Sequence, residues 1–318
     1  MPVSPISRYR RAGADPPWGD PRRYHGVAME GYFWRFTHAA SGRVAIVMCG
    51  VNHAPDGERW AFVGLAAHPG GFFRWAALQG ARADAAGYGV HAGAAFSAGT
   101  DHVRLDLGPD CRLDADLDAP VAWPRRAFGG LGGAHAVPWL TQYWHPHLFA
   151  AGVRGRVVAG TDAFTLDGAG AYAEKNWGGG FPDRWWWGQA HDFGDDVCVA
   201  FAGGPVGVGP ARLRATAAVV RLDGTVLRCR PPAVVELGHG AWRLRARAGG
   251  RRVEIEGAAD PATAHALTVP VPRERRAVDR SQHHLAGAMR VRVTRRGGTV
   301  FAGESALAGL ERGGAPHR

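Results

Sequence analysis

The residues best equipped for chemistry fall in one short run, Glu174-Lys175-Asn176-Trp177-Gly178-Gly179-Gly180-Phe181-Pro182-Asp183-Arg184-Trp185-Trp186-Trp187. A carboxylate, an ammonium and an amide follow one another there, with four of the chain's 12 tryptophans. Lys175 is the only lysine, and Asn176 is one of two asparagines, with Asn52. Elsewhere the chain uses Arg, Ala and Gly, as a GC-rich genome does, so arginine should stand wherever charge alone is needed. A lysine kept beside tryptophans points to a need for a compact ammonium rather than a planar fork. If 171–177 is a strand, Tyr172, Glu174 and Asn176 share one face, and Ala173, Lys175 and Trp177 share the other. Glu174 then does not face Lys175. Buried, its carboxyl would be raised in pKa and fit to donate a proton. The competing structural role is a carboxylate hydrogen-bonded to a neighbouring turn.

A second carboxylate, Glu30, precedes Tyr32, Trp34 and Phe36 at strand spacing, with Arg35 on the opposite face. One carboxylate among three aromatics is either part of a ligand pocket or an inner barrel face where it pairs with an arginine across the sheet. Trp185 and Trp187 alternate onto one face with Gln189 and His191. Their rings could line an apolar channel and stabilise a cation, or simply pack a core. Together these patterns predict that Glu30 and Glu174 reach one cavity from different strands, with Trp34 and at least one of Trp185 and Trp187 in its wall. Other chemistries find little support. Gly178-Gly179-Gly180 is followed by no Gly-Lys-Ser/Thr, so it reads as a turn rather than a phosphate loop. His145 and His147 could chelate a metal from a strand, but no third ligand has sensible spacing. His283-His284 has no constellation around it in sequence, and no G-x-S-x-G elbow occurs.

The elements that must position these groups are strands. Val103, Leu105 and Leu107 alternate with Arg104 and Asp106, and Cys111, Leu113, Ala115 and Leu117 with Arg112, Asp114 and Asp116. Trp242, Leu244 and Ala246 alternate with arginines up to a turn at Gly249-Gly250, after which Val253 and Ile255 alternate with Glu254 and Glu256. That is a hairpin with opposite charges facing across its solvated side. Met289, Val291 and Val293 repeat the pattern before Gly297-Gly298. Segments 43–49, 59–66, 72–78, 153–158 and 213–222 are further strand candidates. With 47 glycines and no convincing amphipathic helix, the chain reads as an all-β sandwich or barrel.

The Glu-Lys-Asn-Trp-Gly-Gly-Gly-Phe-Pro run, with the Trp-rich segment and Gln189 after it, resembles the hallmark of the tocopherol cyclase family. Two weaker blocks are colinear with it: Pro21-Arg22-Arg23-Tyr24 with Met29-Glu30-Gly31-Tyr32-Phe33-Trp34-Arg35, and His145-Pro146-His147 ahead of Ala150-Ala151-Gly152. Against the plant enzymes the chain is shorter between the first and third blocks. It carries His145 where an acidic residue is expected and Asp183 where a basic one is. The resemblance implies a lipocalin-like architecture, two barrel- or sandwich-like halves around a shared apolar pocket, and cyclisation of a prenylated hydroquinone to a chromanol with no cofactor or metal. On that footing the catalytic candidates are Glu174 or Glu30 as acid, Asn176 and Tyr172 positioning the phenol, and Lys175 anchoring the motif or stabilising phenolate character. Trp34, Tyr32, Arg35, Trp177, Trp185, Trp187, Gln189 and His147 are the candidate substrate-binding residues. Two other functions stay open: a cofactor-free hydratase or cyclase of another isoprenoid or polyene, and a non-catalytic carrier of a lipid or quinone.

At 318 residues the chain can bury a large core as one or two domains. Composition suggests an arm at 1–20, a signature-bearing β domain at 21–204 and a second β domain at 205–318, with Gly203 to Pro210 as linker; a break near 160 is the alternative. Cys49, Cys111, Cys198 and Cys229 are scattered and read as buried thiols. No apolar run or leader is seen, so a cytoplasmic location is expected. The net charge of +10 is spread along strand faces, which argues against nucleic acid and leaves peripheral attraction to a membrane or lipid surface open, while the resemblance implies a hydrophobic small-molecule substrate.

Overall fold

The computed structural model describes residues 27–84, 88–124, 128–137, 139–194, 196–209 and 211–314. The expected arm and the Pro21 to Tyr24 block lie outside them. Period-two patterning becomes strand almost throughout. In chain order these are β1 (Met29–His38), β2 (Arg43–His53), β3 (Arg59–His68), β4 (Phe72–Gln79), β5 (Ala81–Ala83), β6 (Val90–Ala92), β7 (Phe96–Ala98), β8 (His102–Asp106), β9 (Cys111–Ala122), β10 (Gln142–Ala159), β11 (Asp162–Thr165), β12 (Gly170–Gly178), β13 (Arg184–Ala190), β14 (Cys198–Val208), β15 (Ala211–Leu222), β16 (Thr225–Arg228), β17 (Arg230–Gly238), β18 (Ala241–Ala248), β19 (Arg251–Ala258), β20 (His265–Val271), β21 (Arg276–Arg295) and β22 (Gly298–Gly314). Only short 3-10 turns interrupt them among the described residues.

The first sheet runs β4-β3-β2-β1-β12-β10-β9-β8-β7-β6-β5, with β11 on β10, and the second runs β16-β15-β14-β13-β22-β21-β19-β18-β17, with β20 on β21. Each sheet curls around its own core. Trp34, Phe36, Val47, Val63, Phe96 and Leu113 fill the first. Trp186, Phe201, Val220, Leu244, Ile255 and Val291 fill the second. The architecture is all-β and lipocalin-like, with two barrel-like halves. The chain passes from one sheet to the other at 179–183, not at 204–205 or near 160. Gly203 and Gly204, glycine-rich by composition, lie inside β14, and residue 160 falls in the turn between β10 and β11. The β18–β19 hairpin keeps the expected charge facing: Arg243 lies opposite Glu256 at 2.9 Å.

The pairing of β1 with β12 sets the rest. Directly opposed residues in an antiparallel pair share a face. Glu30 stands opposite Trp177, Tyr32 opposite Lys175 and Trp34 opposite Ala173, all toward the first barrel's interior. Phe33 stands opposite Glu174 and Arg35 opposite Tyr172, toward the second sheet. Arg35 is wholly buried there. Its guanidinium donates to the carbonyls of Leu285 (2.7 Å) and Leu307. Register shifts between His284 and Gly287 and between Gly287 and Met289 interrupt the β21–β22 ladder at this place, which leaves such carbonyls to other donors. Arg35 therefore fastens the first sheet to the second.

Candidate active site

Between the two halves lies a cavity of about 770 Å³, within the ~300–1,000 Å³ range of small-molecule sites. β1, β2, β10 and β12 give one wall, including Phe33, Met48, Trp144, Glu174 and Asn176; β13, β20, β21 and β22 give Trp185, Trp187, Leu267, Ser281, His283 and Glu311. Most of this lining is apolar, so its few polar groups stand out.

Glu174 is the first of these. It projects from β12 beneath Phe33, and Tyr172 and Trp187 both donate to its Oε2, at 2.6 and 3.0 Å. These two donors converge on one oxygen. Burial pushes the carboxyl up to about 7, against the pull of Tyr172, Trp187 and Trp144, with Glu311 adding a small push of its own. Burial and the neighbouring Glu174 also raise the Tyr172 phenol, so it stays a donor. Tyr172 does not line the cavity. It orients the carboxyl rather than touching a bound phenol. Asn176, two residues along the same face, does line it, and its Oδ1 has no partner among the described residues. Gly31 opposes it, and a Cβ there would lie 2.1 Å from that oxygen, so the glycine is what gives the amide its room. Gln142 of β10, opposite Gly178 of β12, presents to the same space a second amide oxygen with no partner among the described residues.

The second sheet supplies a group that sequence reading missed. Glu311 on β22 accepts from Trp185 Nε1 at 2.7 Å, from Ser281 Oγ at 2.7 Å, and lies 3.1 Å from His283 Nδ1. Burial alone would raise this carboxyl, but His283, Ser281 and Trp185 together hold it below its ordinary range. Glu311, held toward its ionised form, anchors the imidazole through Nδ1. Its Nε2 is buried without a partner among the described residues, beside Trp187 (5.4 Å between ring centroids) and Phe33 (6.2 Å). The cavity thus holds a carboxyl raised toward neutrality on one wall and a carboxylate–imidazole pair on the other.

Glu30 is elsewhere, and the expectation of a shared cavity fails for it. It lies on the barrel side of β1, where Lys175 Nζ and Tyr32 OH each reach its Oε2 at 3.0 Å. The Lys175 ammonium sits over the rings of Tyr32 (4.9 Å) and Trp177 (5.5 Å). Lysine, not arginine, is the partner, because a point charge fits between two aromatic faces and one carboxylate. Trp34 follows Glu30 into the barrel core, where its ring centroid lies 5.8 Å from that of Phe96, so it is no cavity wall. Trp177 stacks on Tyr143 at 5.4 Å on the same side. Tyr32 borders the cavity while its ring belongs to the barrel core. His147 packs on Tyr88 at 4.2 Å, away from the cavity, and with His145 it belongs to no group of three potential metal ligands among the described residues. Gln189 is buried against His191 and Cys198. Arg35 is the fastener already described. Trp185 and Trp187 do form wall, as alternation predicts.

The class defined by this frame is a lipocalin-like all-β protein whose two barrel-like halves enclose an apolar cavity, with Glu174 on one wall and Glu311 on the other. The tocopherol cyclase-like family matches residues 117–314, more than half of the chain and both sheets, and the protein belongs to it. Its first block, around Glu30, lies outside that match. The chain is 27% identical over 200 residues to a chloroplastic tocopherol cyclase of Zea mays, and 26% identical over 203 residues to a probable chloroplastic tocopherol cyclase of Oryza sativa subsp. japonica. In both cases the alignment covers 58% of this chain and 42% of the relative. The fold is shared with kievitone hydratase from Nectria haematococca, at a TM-score of 0.55 and 11% identity over 95% of this chain and 90% of that one.

Proposed function

We propose that the protein closes a chromanol ring on a prenylated hydroquinone by adding a phenol oxygen across a prenyl double bond. Glu174 carries this reading: a carboxyl raised to about 7, in an apolar cavity, with Tyr172 and Trp187 both donating to one oxygen. Protonated, it gives its proton to the less substituted alkene carbon, and the other carbon gains tertiary cation character. The faces of Trp187, Trp185 and Phe33 stabilise that charge. The phenol oxygen attacks it, closing a six-membered ring, and His283 Nε2 takes the phenolic proton while Glu311 offsets the imidazolium. A proton then returns from His283 to Glu174, so substrate and product are isomers. The amides of Asn176 and Gln142 accept hydrogen bonds from the ring hydroxyls. Folding the tail onto the ring contributes several kcal/mol, of ~7–11 attainable from positioning, and dryness keeps water from capturing the cation.

Incubation with reduced prenylquinols tests the reading. The product should keep the substrate's mass; gain of one water makes the protein a hydratase, and no turnover leaves a carrier. Two variants probe the assigned roles. His283→Gln should lower kcat by about 10²-fold or more with KM little changed; an unaltered kcat removes it as base. Tyr172→Phe deletes a donor that holds the Glu174 carboxyl down, so that carboxyl rises further. The protonated form is the active one. In the native protein activity falls as pH rises through about 7; the variant's descending limb should move to higher pH, and a limb left in place contradicts the role.

A further inference from the structure

We infer that the mouth of the cavity is a docking surface for an anionic lipid bilayer. Among the described residues six large apolar side chains are exposed, and four of them fall together: Val137 (40%), Trp139 (60%), Val208 (41%) and Leu213 (76%). Val137 and Trp139 lie on the segment leading into β10, and Val208 and Leu213 flank the β14–β15 turn. The two segments are tied by hydrogen bonds from Thr141 N to Gly207 O (2.9 Å) and from Gly207 N to Thr141 Oγ1 (3.2 Å). Leu213 is at once the most exposed of these residues and part of the cavity lining, with Leu140 and Val206 behind it. The apolar patch is therefore the rim of the cavity.

Charge selects the occupant. The segments that build this rim, 128–142, 203–216, 225–230 and 249–252, contain no Asp or Glu. They contribute exposed Arg212 and Arg214, the latter over the Trp186 ring at 4.6 Å, and Arg228 and Arg251 at the cavity border. Apolar side chains beside arginines, on segments that carry no carboxylate of their own, suit a surface of anionic headgroups over acyl chains. A hydrophobic ligand could then pass from bilayer to cavity along Leu213 and Leu140 without crossing water. The docking surface does not depend on which reaction the cavity performs.

Sedimentation with vesicles tests it, with no substrate present. The protein should pellet with phosphatidylcholine–phosphatidylglycerol vesicles and much less with phosphatidylcholine alone, and salt should release it. Arg212→Ser should weaken partitioning about five-fold, and Trp139→Ser roughly tenfold. Trp75→Ser, an exposed tryptophan outside the rim, should change nothing. Failure to bind either vesicle, equal binding to both, or equal losses from Trp75→Ser and Trp139→Ser each overturns the docking surface. So does a dimer in solution that Trp139→Ser dissolves, since the rim would then belong to a second copy. Turnover of a water-soluble, short-tailed prenylquinol by Trp139→Ser should stay near native, which separates loss of docking from loss of chemistry.

Discussion

Glu174→Gln is expected to stop cyclisation, a loss of about 10²–10⁴-fold from removing a general acid, in a protein that still folds. Gln keeps an oxygen for the Tyr172 and Trp187 donors but has no proton to deliver to an alkene. The same substitution has a signature in stability. Because the folded-state pKa of Glu174 is raised from its ordinary 4.5 to about 7, the folded protein binds more protons than the unfolded chain between those values, and stability falls as pH rises through that window. The Gln variant should lose that part of the decline and be at least as stable as the native protein above pH 7. Chemical denaturation across pH, alongside product formation, checks both. Near-normal turnover in a well-folded variant would remove Glu174 as the acid, and Glu30 could not inherit the role from the far side of the sheet.

The largest stability effect belongs to Lys175. Truncation to Ala removes the ammonium that meets Glu30 at 3.0 Å, and breaking a buried pair in this way costs about 3–5 kcal/mol. Lys175→Arg keeps the charge yet must insert a planar fork between the Tyr32 and Trp177 faces, so it too should destabilise well beyond Arg245→Lys on the exposed face of β18. The denaturation midpoint decides. If Lys175→Arg and Arg245→Lys are equally silent, the single lysine has no steric reason to be there. Because Lys175 points away from the cavity, a folded variant should retain most of its turnover per folded molecule.

Alternation told which residues of one strand share a face, and it told this correctly for β12 and β13. Glu174 turns away from Lys175, and Trp185 and Trp187 stand together in the cavity wall. It could not tell how one strand aligns with the next. Glu30 falls opposite Trp177; a slip of one residue would have brought it round to the Glu174 side. His283 shows the same limit more sharply. Counting outward from the Gly297-Gly298 turn, where Arg295 pairs with Gly298, places His283 opposite Leu310. Register shifts along β21–β22 move the pairing by one residue and bring it to Glu311. Bulges leave no reliable mark in a strand's composition, so the histidine looked solitary. The sheet switch at 179–183 was hidden for a related reason: glycines mark turns, close approaches and bulges alike, and Gly203, Gly204 and Gly207 lie within a strand. Lys175, by contrast, was legible from rarity alone, because only a confined site distinguishes it from arginine.

Arg35 has a consequence for how such a protein can be inherited. Its guanidinium is stripped of water, burial pushing its pKa down to about 10, and the carbonyls that answer it belong to β21 and β22, some 250 residues further along the chain. A gene cut at the sheet switch would encode a first barrel with an arginine side chain stranded on its surface and a second with frayed bulges. Neither fragment is a self-sufficient module to be lost, duplicated or traded singly between proteins. The two halves are bound to one reading frame, and the cavity between them survives only as long as both are kept.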